Sequence, residues 1–206
     1  MQLEIVSFAE ADALRGFLTE EELRQSKEKT SDAVRTRFVI ARGLRRKMLD
    51  RATGIRAEDL CFLEDGESKP RVLGAHGWDF NISHAGENVA CAVARGQVGV
   101  DIEQIRPVRE MESIVGRYFH PDEAAAWCAL APGLRKEAFF VLWSAREAAM
   151  KCAGLGLAKG LSVTRVDPLI LREEEAGARV GEVEMTVRRW EAPSGYVGLV
   201  AQGAVI

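Results

Sequence analysis

The sequence predicts an α+β protein, two similar α/β halves packed about a pseudo-twofold axis. Two of the observations behind this are internal echoes. Phe38-Val39-Ile40 and Phe140-Val141-Leu142 lie 102 residues apart, each early in a long helix-like stretch. Val89-Ala90-Cys91-Ala92-Val93 and Val197-Gly198-Leu199-Val200-Ala201 lie 108 apart, each a short apolar strand after a turn. The third is Pro107, which with Arg106, Val108 and Arg109 reads as a linker, so the halves are expected at 1–105 and 106–206. Between two such halves a cleft is the default ligand site.

In chain order, Leu3 to Phe8 reads as a strand and Glu10 to Leu18 as a helix. A longer helix, capped by Ser31 or Asp32, runs to about Ala52 and stops before Gly54. At about 100° per residue, Val34, Phe38, Ala41, Met48 and Ala52 form its apolar stripe. Arg35, Arg42 and Arg46 group beside the stripe, Arg45 falls near its centre, and Arg37 lies on its other margin. These arginines either snorkel outward from an apolar face or converge as forked donors on a phosphate. Asp59 to Glu64 is the next strand, and DGESKP at 65–70 a polar turn. The stretch from Phe80 to Glu103 reads as strand, turn, strand, turn, strand. Helices are then expected at Met111 to Tyr118, from His120 to near Leu130 before Pro132-Gly133, and at 135–152, closed by Gly154 and Gly156. Strands follow at Leu161 to Val166, Glu182 to Trp190 and Tyr196 to Gln202.

Composition narrows the class. The chain is 47% hydrophobic and 29% charged, the balance of a soluble globular protein. No apolar run approaches the ~20 residues of a membrane span, and no secretory leader is visible. Cys61, Cys91, Cys128 and Cys152 are widely spaced, so they read as reduced thiols, with Cys91 and Cys128 acting as small hydrophobes. The cytoplasm is the expected compartment. The net charge of −3 conceals eleven Lys or Arg between Arg24 and Arg56, against Glu28, Asp32 and Asp50. Such a local excess suits a phosphate-bearing ligand better than nucleic acid, for which a basic whole domain is expected.

Asp101 and Glu103 are two apart at the end of an apolar strand, so they share one face. Neighbouring carboxylates repel, and desolvating them is costly unless something positive sits between them. In the helix at 135–152, Glu147 follows Trp143 by four residues and precedes Lys151 by four. Glu147 and Lys151 are either an ordinary surface pair or part of a site with Asp101 and Glu103. Three carboxylates are hard oxygen donors that suit Mg²⁺, and no His/Cys cluster has zinc-ligand spacing. His76 and His120 read as structural or surface residues. The usual nucleotide loops and the GxSxG elbow are absent. A basic segment, a candidate magnesium site and an acid–lysine pair fit phosphoryl chemistry on a substrate with several phosphates.

NISH at 81–84, GVDIE at 99–103 and WSAREAAMK at 143–151 resemble, in order and spacing, the surfactin-synthetase-type 4′-phosphopantetheinyl transferases. Lys69-Pro70, RTRFVIAR at 35–42 and GYVGLVA at 195–201 extend the resemblance. It implies the monomeric, two-lobed fold of that family and transfer of phosphopantetheine from coenzyme A to a serine of an acyl or peptidyl carrier protein. Adenosine 3′,5′-bisphosphate would be released. By the same resemblance Asp101, Glu103 and Glu147 are the magnesium ligands, Glu147, directly or through a metal-bound water, is the candidate base for the serine, and Lys151 neutralises the phosphates. Ser83, His84 and Lys69 match residues that contact coenzyme A phosphates, with Arg37 and Arg42 at the 3′-phosphate and Arg24 or Lys27 able to share that role. Two positions depart from the family pattern: Arg146 stands where lysine is usual, and Ser68 where glycine precedes Lys69. No nucleic-acid or membrane partner is expected. The competing readings are another Mg²⁺-dependent phosphoryl-transfer enzyme, and a non-catalytic module that binds coenzyme A or carrier protein.

Overall fold

A computed structural model of the chain describes residues 1–64 and 69–203. It is a mixed α+β protein that divides into two compact units, Met1–Arg95 and Gly96–Ile206. The division falls before the strand carrying Asp101, not after it as the Pro107 linker suggests. That strand pairs antiparallel with a strand from the end of the chain, Asp101 opposite Leu199, so its backbone belongs with the second unit.

The first unit contains β1 (Gln2–Ser7), α1 (Ala11–Leu14), α2 (Glu20–Lys27), α3 (Asp32–Thr53), β2 (Cys61–Leu63), β3 (Arg71–Leu73), β4 (Trp78–Ala85) and β5 (Asn88–Arg95). β1, β5 and β4 form an antiparallel sheet with β5 central, and β2 pairs with β3. Ile40, Leu44 and Met48 of α3 pack on Phe80, Val89, Cys91 and Val93 of this sheet. The helix starts where Ser31 Oγ accepts from the Val34 amide at 3.3 Å, which makes Ser31 the cap. It ends at Gly54, whose φ of 75° is the left-handed turn that glycine adopts at little cost.

Three expectations change here. The helix foreseen at 10–18 is broken into the four-residue α1 between two 3₁₀ turns. The apolar stripe of α3 is misplaced at its start: Val34 is exposed and Phe38 and Ala41 are half-buried, while the core face runs through Ile40 and Leu44. Arg45 and Arg46 do not snorkel outward; both are buried. The polar turn at 65–70, including Ser68, lies outside the described residues except for Lys69 and Pro70.

The second unit contains β6 (Val98–Gln104), α4 (Met111–Tyr118), α5 (Pro121–Cys128), α6 (Pro132–Cys152), α7 (Leu157–Gly160), β7 (Thr164–Val166), β8 (Glu175–Val180), β9 (Val183–Arg189) and β10 (Tyr196–Gly203). Its five strands are antiparallel in the order β6-β10-β9-β8-β7. Phe140, Ala145 and Ala149 of α6 share the core with Val166, Val187 and Leu199. Pro132 opens α6 rather than preceding it, because at a helix start its missing N–H costs nothing. β8 is absent from the sequence-based expectations. Its inward residues are Ala176, Ala178 and Val180, and alanines give a weak strand signal.

Each unit holds its long helix with the same polar device. In the first, Thr19 caps α2, Glu22 caps back onto the Thr19 amide at 3.1 Å, and Arg46 of α3 donates to Glu22 at 2.7 Å. Arg46 also donates to the carbonyls of Ala57 and Leu60. In the second, His120 caps α5, Glu123 caps back onto the His120 amide at 3.0 Å, and Arg146 of α6 donates to Glu123 at 2.8 Å. Arg146 also donates to the carbonyls of Leu161 and Thr164. The Arg146 departure from lysine thus falls on a buried structural ion pair, and His120 has the structural role expected of it.

All four cysteines are free thiols. Cys91 is buried as foreseen, but Cys128 is exposed on α5. Among the described residues no helix is long and apolar enough to cross a membrane.

Candidate active site

β6 and α6 bring the acidic residues of the second unit to one place. Asp101 is 2% exposed, and the Lys151 ammonium lies 2.5 Å from its Oδ1 and 3.3 Å from Glu147 Oε2. Lys151 is thus clasped by a strand residue, Asp101, and a helix residue, Glu147, rather than lying between Asp101 and Glu103. The indole of Trp143, one turn before Glu147, favours the charged form of its carboxyl.

The carboxyls register their crowding. Burial pushes Glu103 up to about 7, with Asp101 and Glu147 adding to the rise and Arg106 and Lys151 opposing it. Burial, then Asp101, also raises Glu147, against Lys151 and Trp143. Burial alone would lower Lys151, but the charges of Asp101 and Glu147 hold it above the usual ammonium value. Among the described residues no group of three or more His, Cys, Asp or Glu is arranged to hold a metal ion. Asp101 and Glu147 meet around an ammonium, and Glu103 joins them through its field. The donor chemistry fits a hard cation: the candidates are oxygen ligands only, and a positive ion would offset the rise of Glu103 and Glu147.

The first unit has its own pocket, of about 460 Å³. Lys29, Arg37, Arg42 and Arg45 supply positive charge, and Phe38, Pro70, Phe80 and Ile82 an apolar wall. Val34, Phe38 and Ala41, assigned to the core by periodicity, line this pocket instead. His84 also lines it, while Ser83 alternates to the other face of β4 and is buried. Lys69 ion-pairs with Asp79 beside β4.

Sequence reasoning missed two residues of the pocket. Lys29 lies 4.6 Å from the centre of the Phe38 ring, a cation–π contact, and lines the pocket. Arg24 instead pairs with Glu21 and Glu28 on the exposed side of α2. Glu64 accepts from both Arg42 and Arg45. Those hydrogen bonds, Arg42's first, hold its carboxyl down at about 2 despite burial.

The excess charge of the basic segment is thus largely internal. Arg45 and Arg46 share Glu22, Arg42 and Arg45 share Glu64, and Lys47 and Arg51 share Glu4. No sequence signal joins Arg46 to Glu22 across the intervening residues. The capping box at Thr19-x-x-Glu22, however, was legible as the start of α2.

Residues 97–194 match the model of the 4′-phosphopantetheinyl transferase superfamily. The 4′-phosphopantetheinyl transferase HetI of Nostoc sp. is 32% identical over 69% of this chain and 63% of its own. The 4′-phosphopantetheinyl transferase psf-1 of Bacillus pumilus is 37% identical over 66% of this chain and 60% of its own. The Sfp enzyme of Bacillus subtilis is 31% identical over 54% of this chain and 49% of its own. The chain therefore spans less than two thirds of the length of these curated relatives. The matched segment, 97–194, is the one that brings Asp101, Glu147 and Lys151 together, and there the chain is similar to the 4′-phosphopantetheinyl transferase superfamily.

Proposed function

We propose that the chain transfers 4′-phosphopantetheine from coenzyme A to a serine of an apo acyl or peptidyl carrier protein. The observation that carries this reading is the Lys151 ammonium held between Asp101 and Glu147 inside the superfamily segment. In this proposal Asp101, Glu103 and Glu147 hold Mg²⁺, which neutralises the pyrophosphate of coenzyme A when bound.

The protein's own groups do the rest. Glu147, directly or through a bound water, takes the proton of the serine hydroxyl. The serine Oγ–phosphorus bond forms as the bond from phosphorus to the departing adenosine bisphosphate breaks. Lys151 neutralises the charge that accumulates on the departing phosphate. Arg37, Arg42 and Lys29 in the first unit's pocket receive the 3′-phosphate, and Lys69, Ser83 and His84 contact coenzyme A as in the family. The protein works as a cytoplasmic monomer, without nucleic acid or membrane.

The matched polar devices support the finer fold reading, two related halves of a pseudo-twofold repeat. Glu22 and Glu123, Arg46 and Arg146, and Leu60 and Leu161 each recur roughly one hundred residues apart in the same roles.

The test incubates the protein with coenzyme A, Mg²⁺ and several apo carrier proteins. Mass spectrometry should show the phosphopantetheine increment on the carrier serine, and no increment on any carrier would sink the transferase reading.

A further inference from the structure

Gly99 stands two residues before Asp101 on β6, so Gly99, Asp101 and Glu103 share a face. α6 packs directly on that face. A Cβ at Gly99 would lie 2.0 Å from the Ala148 carbonyl oxygen and 2.4 Å from the Cys152 amide nitrogen. Both are backbone atoms of α6, so no rotamer change relieves the clash, and the helix itself would have to move. Ala148 and Cys152 each adjoin a site residue, Glu147 and Lys151. Whatever fixes the depth of the helix at those two residues fixes how far Lys151 and Glu147 reach toward Asp101.

We propose that Gly99 is a positioning residue: its missing side chain sets the distance between α6 and β6, and so brings Lys151 and Glu147 against Asp101. The kinetic side of this proposal rests on the transferase reading, while the geometric side does not. Two other glycines show why the effect is specific. Gly198, on β10, would set its Cβ 2.3 Å from the Trp190 ring, but it pairs with Ile102 and so faces the other side of the sheet. At Gly160 the closest atoms, 2.4 and 2.7 Å away, are the sulfur and Cγ of the flexible Met150 side chain rather than backbone.

Gly99→Ala is compared with Gly198→Ala by thermal melting, by the side-chain ¹⁵N resonance of Lys151, and by separate kcat and KM for coenzyme A. Folded Gly99→Ala should shift the Lys151 resonance and lower kcat by roughly 10²-fold, since displacements near 1 Å cost about that much, with KM little changed. Gly198→Ala, at a comparable loss of melting temperature, should leave both near wild type. Should Gly99→Ala fail to fold, Ala201→Val serves: Ala201 is paired with Gly99 on β10, faces the same side, and is fully buried. It should wedge beneath the same helix with the same signature in smaller measure. An unmoved Lys151 resonance with normal kcat in either folded variant overturns the proposal, as does an equal kcat loss in Gly198→Ala. If the wild-type protein modifies no carrier, the transferase reading fails and the Lys151 resonance alone decides the role of Gly99.

Discussion

The two units hold their long helices alike yet charge them oppositely. In the first, Glu4 of β1 faces two cations of α3, Lys47 and Arg51. In the second, Asp101 of β6 faces Glu147 and Lys151 of α6, with Glu103 close enough to be felt. Lys47 follows the buried Arg46 as Glu147 follows the buried Arg146, and Arg51 and Lys151 come four residues later. One site gives a carboxylate two positive partners; in the other, Asp101 and Glu147 share the Lys151 ammonium, and Glu103 feels Lys151 and Arg106 from beside them. A strand facing a long helix thus carries one carboxylate between two cations in one unit and a carboxylate-rich cluster around an ammonium in the other. Chemistry is expected at the second.

The largest effect should separate them. Asp101→Ala or Glu147→Ala should lower transfer by roughly 10²- to 10⁴-fold, because each removes a group that the proposed function places at the reacting phosphate. Glu4→Ala should leave kcat near wild type and cost up to about 1 kcal/mol of stability, as a part-exposed ion pair does. Steady-state rates and urea unfolding on the three variants check this. Near-normal turnover in Asp101→Ala at saturating Mg²⁺ would place the active centre elsewhere.

The polar clasps are predicted to matter for stability alone. Glu123 is fully buried and holds Arg146, which is 1% exposed. Burial raises the Glu123 carboxyl, though Arg146 and the amides of Val166 and His120 oppose the rise. Glu123→Ala leaves a buried guanidinium without its carboxylate and should cost about 3–5 kcal/mol in urea unfolding. Glu22→Ala should be similarly harmful, since it strips Arg46 and one partner of Arg45. If one of the two variants were silent, the clasps would not be equivalent and the repeat would lose its best support.

How far the sequence revealed this follows from the range of each interaction. Asp101 and Glu103 stand two apart, and their repulsion alone called for a cation; Glu147 and Lys151 stand one turn apart on a helix whose period was plain. Local spacing carried those four. The division of the chain was misjudged because β6 takes its partner, β10, from the far end, and a linker proline says nothing about strand pairing. Arg45 looked like a snorkelling side chain because its partners, Glu22 and Glu64, come from other elements. Val34 and Phe38 looked like core because periodicity cannot distinguish an apolar pocket wall from an apolar interior.

The first unit's pocket offers the next test. Arg42→Ala removes one of its forked donors and should raise KM for coenzyme A about tenfold, equivalent to 1.4 kcal/mol, with kcat little changed. Dephospho-coenzyme A, lacking the 3′-phosphate, should show a smaller difference between variant and wild type. Equal losses with both substrates would mean that Arg42 serves another part of the ligand, or only its bond to Glu64.

The smallest effect concerns acid. Glu64 of the first unit is held down at about 2, chiefly by Arg42, whereas Glu103 of the second is pushed up to about 7. A carboxyl whose folded value lies below its ordinary 4.5 contributes stability above that ordinary value. The contribution fades as pH falls from about 4.5 toward about 2, where the folded protein too takes up the proton. Glu64→Gln cannot ionise, so its melting temperature should fall less steeply across that window than the wild type's. Because Glu64 remains partly exposed, the gap should be small and should shrink in high salt. Parallel acid profiles for variant and wild type would mean that Arg42 and Arg45 do not engage Glu64 in solution. Arg42 would then lose its carboxylate while Arg45 kept Glu22, and the pocket would hold an excess of positive charge opposite in sign to the carboxylates of the second unit.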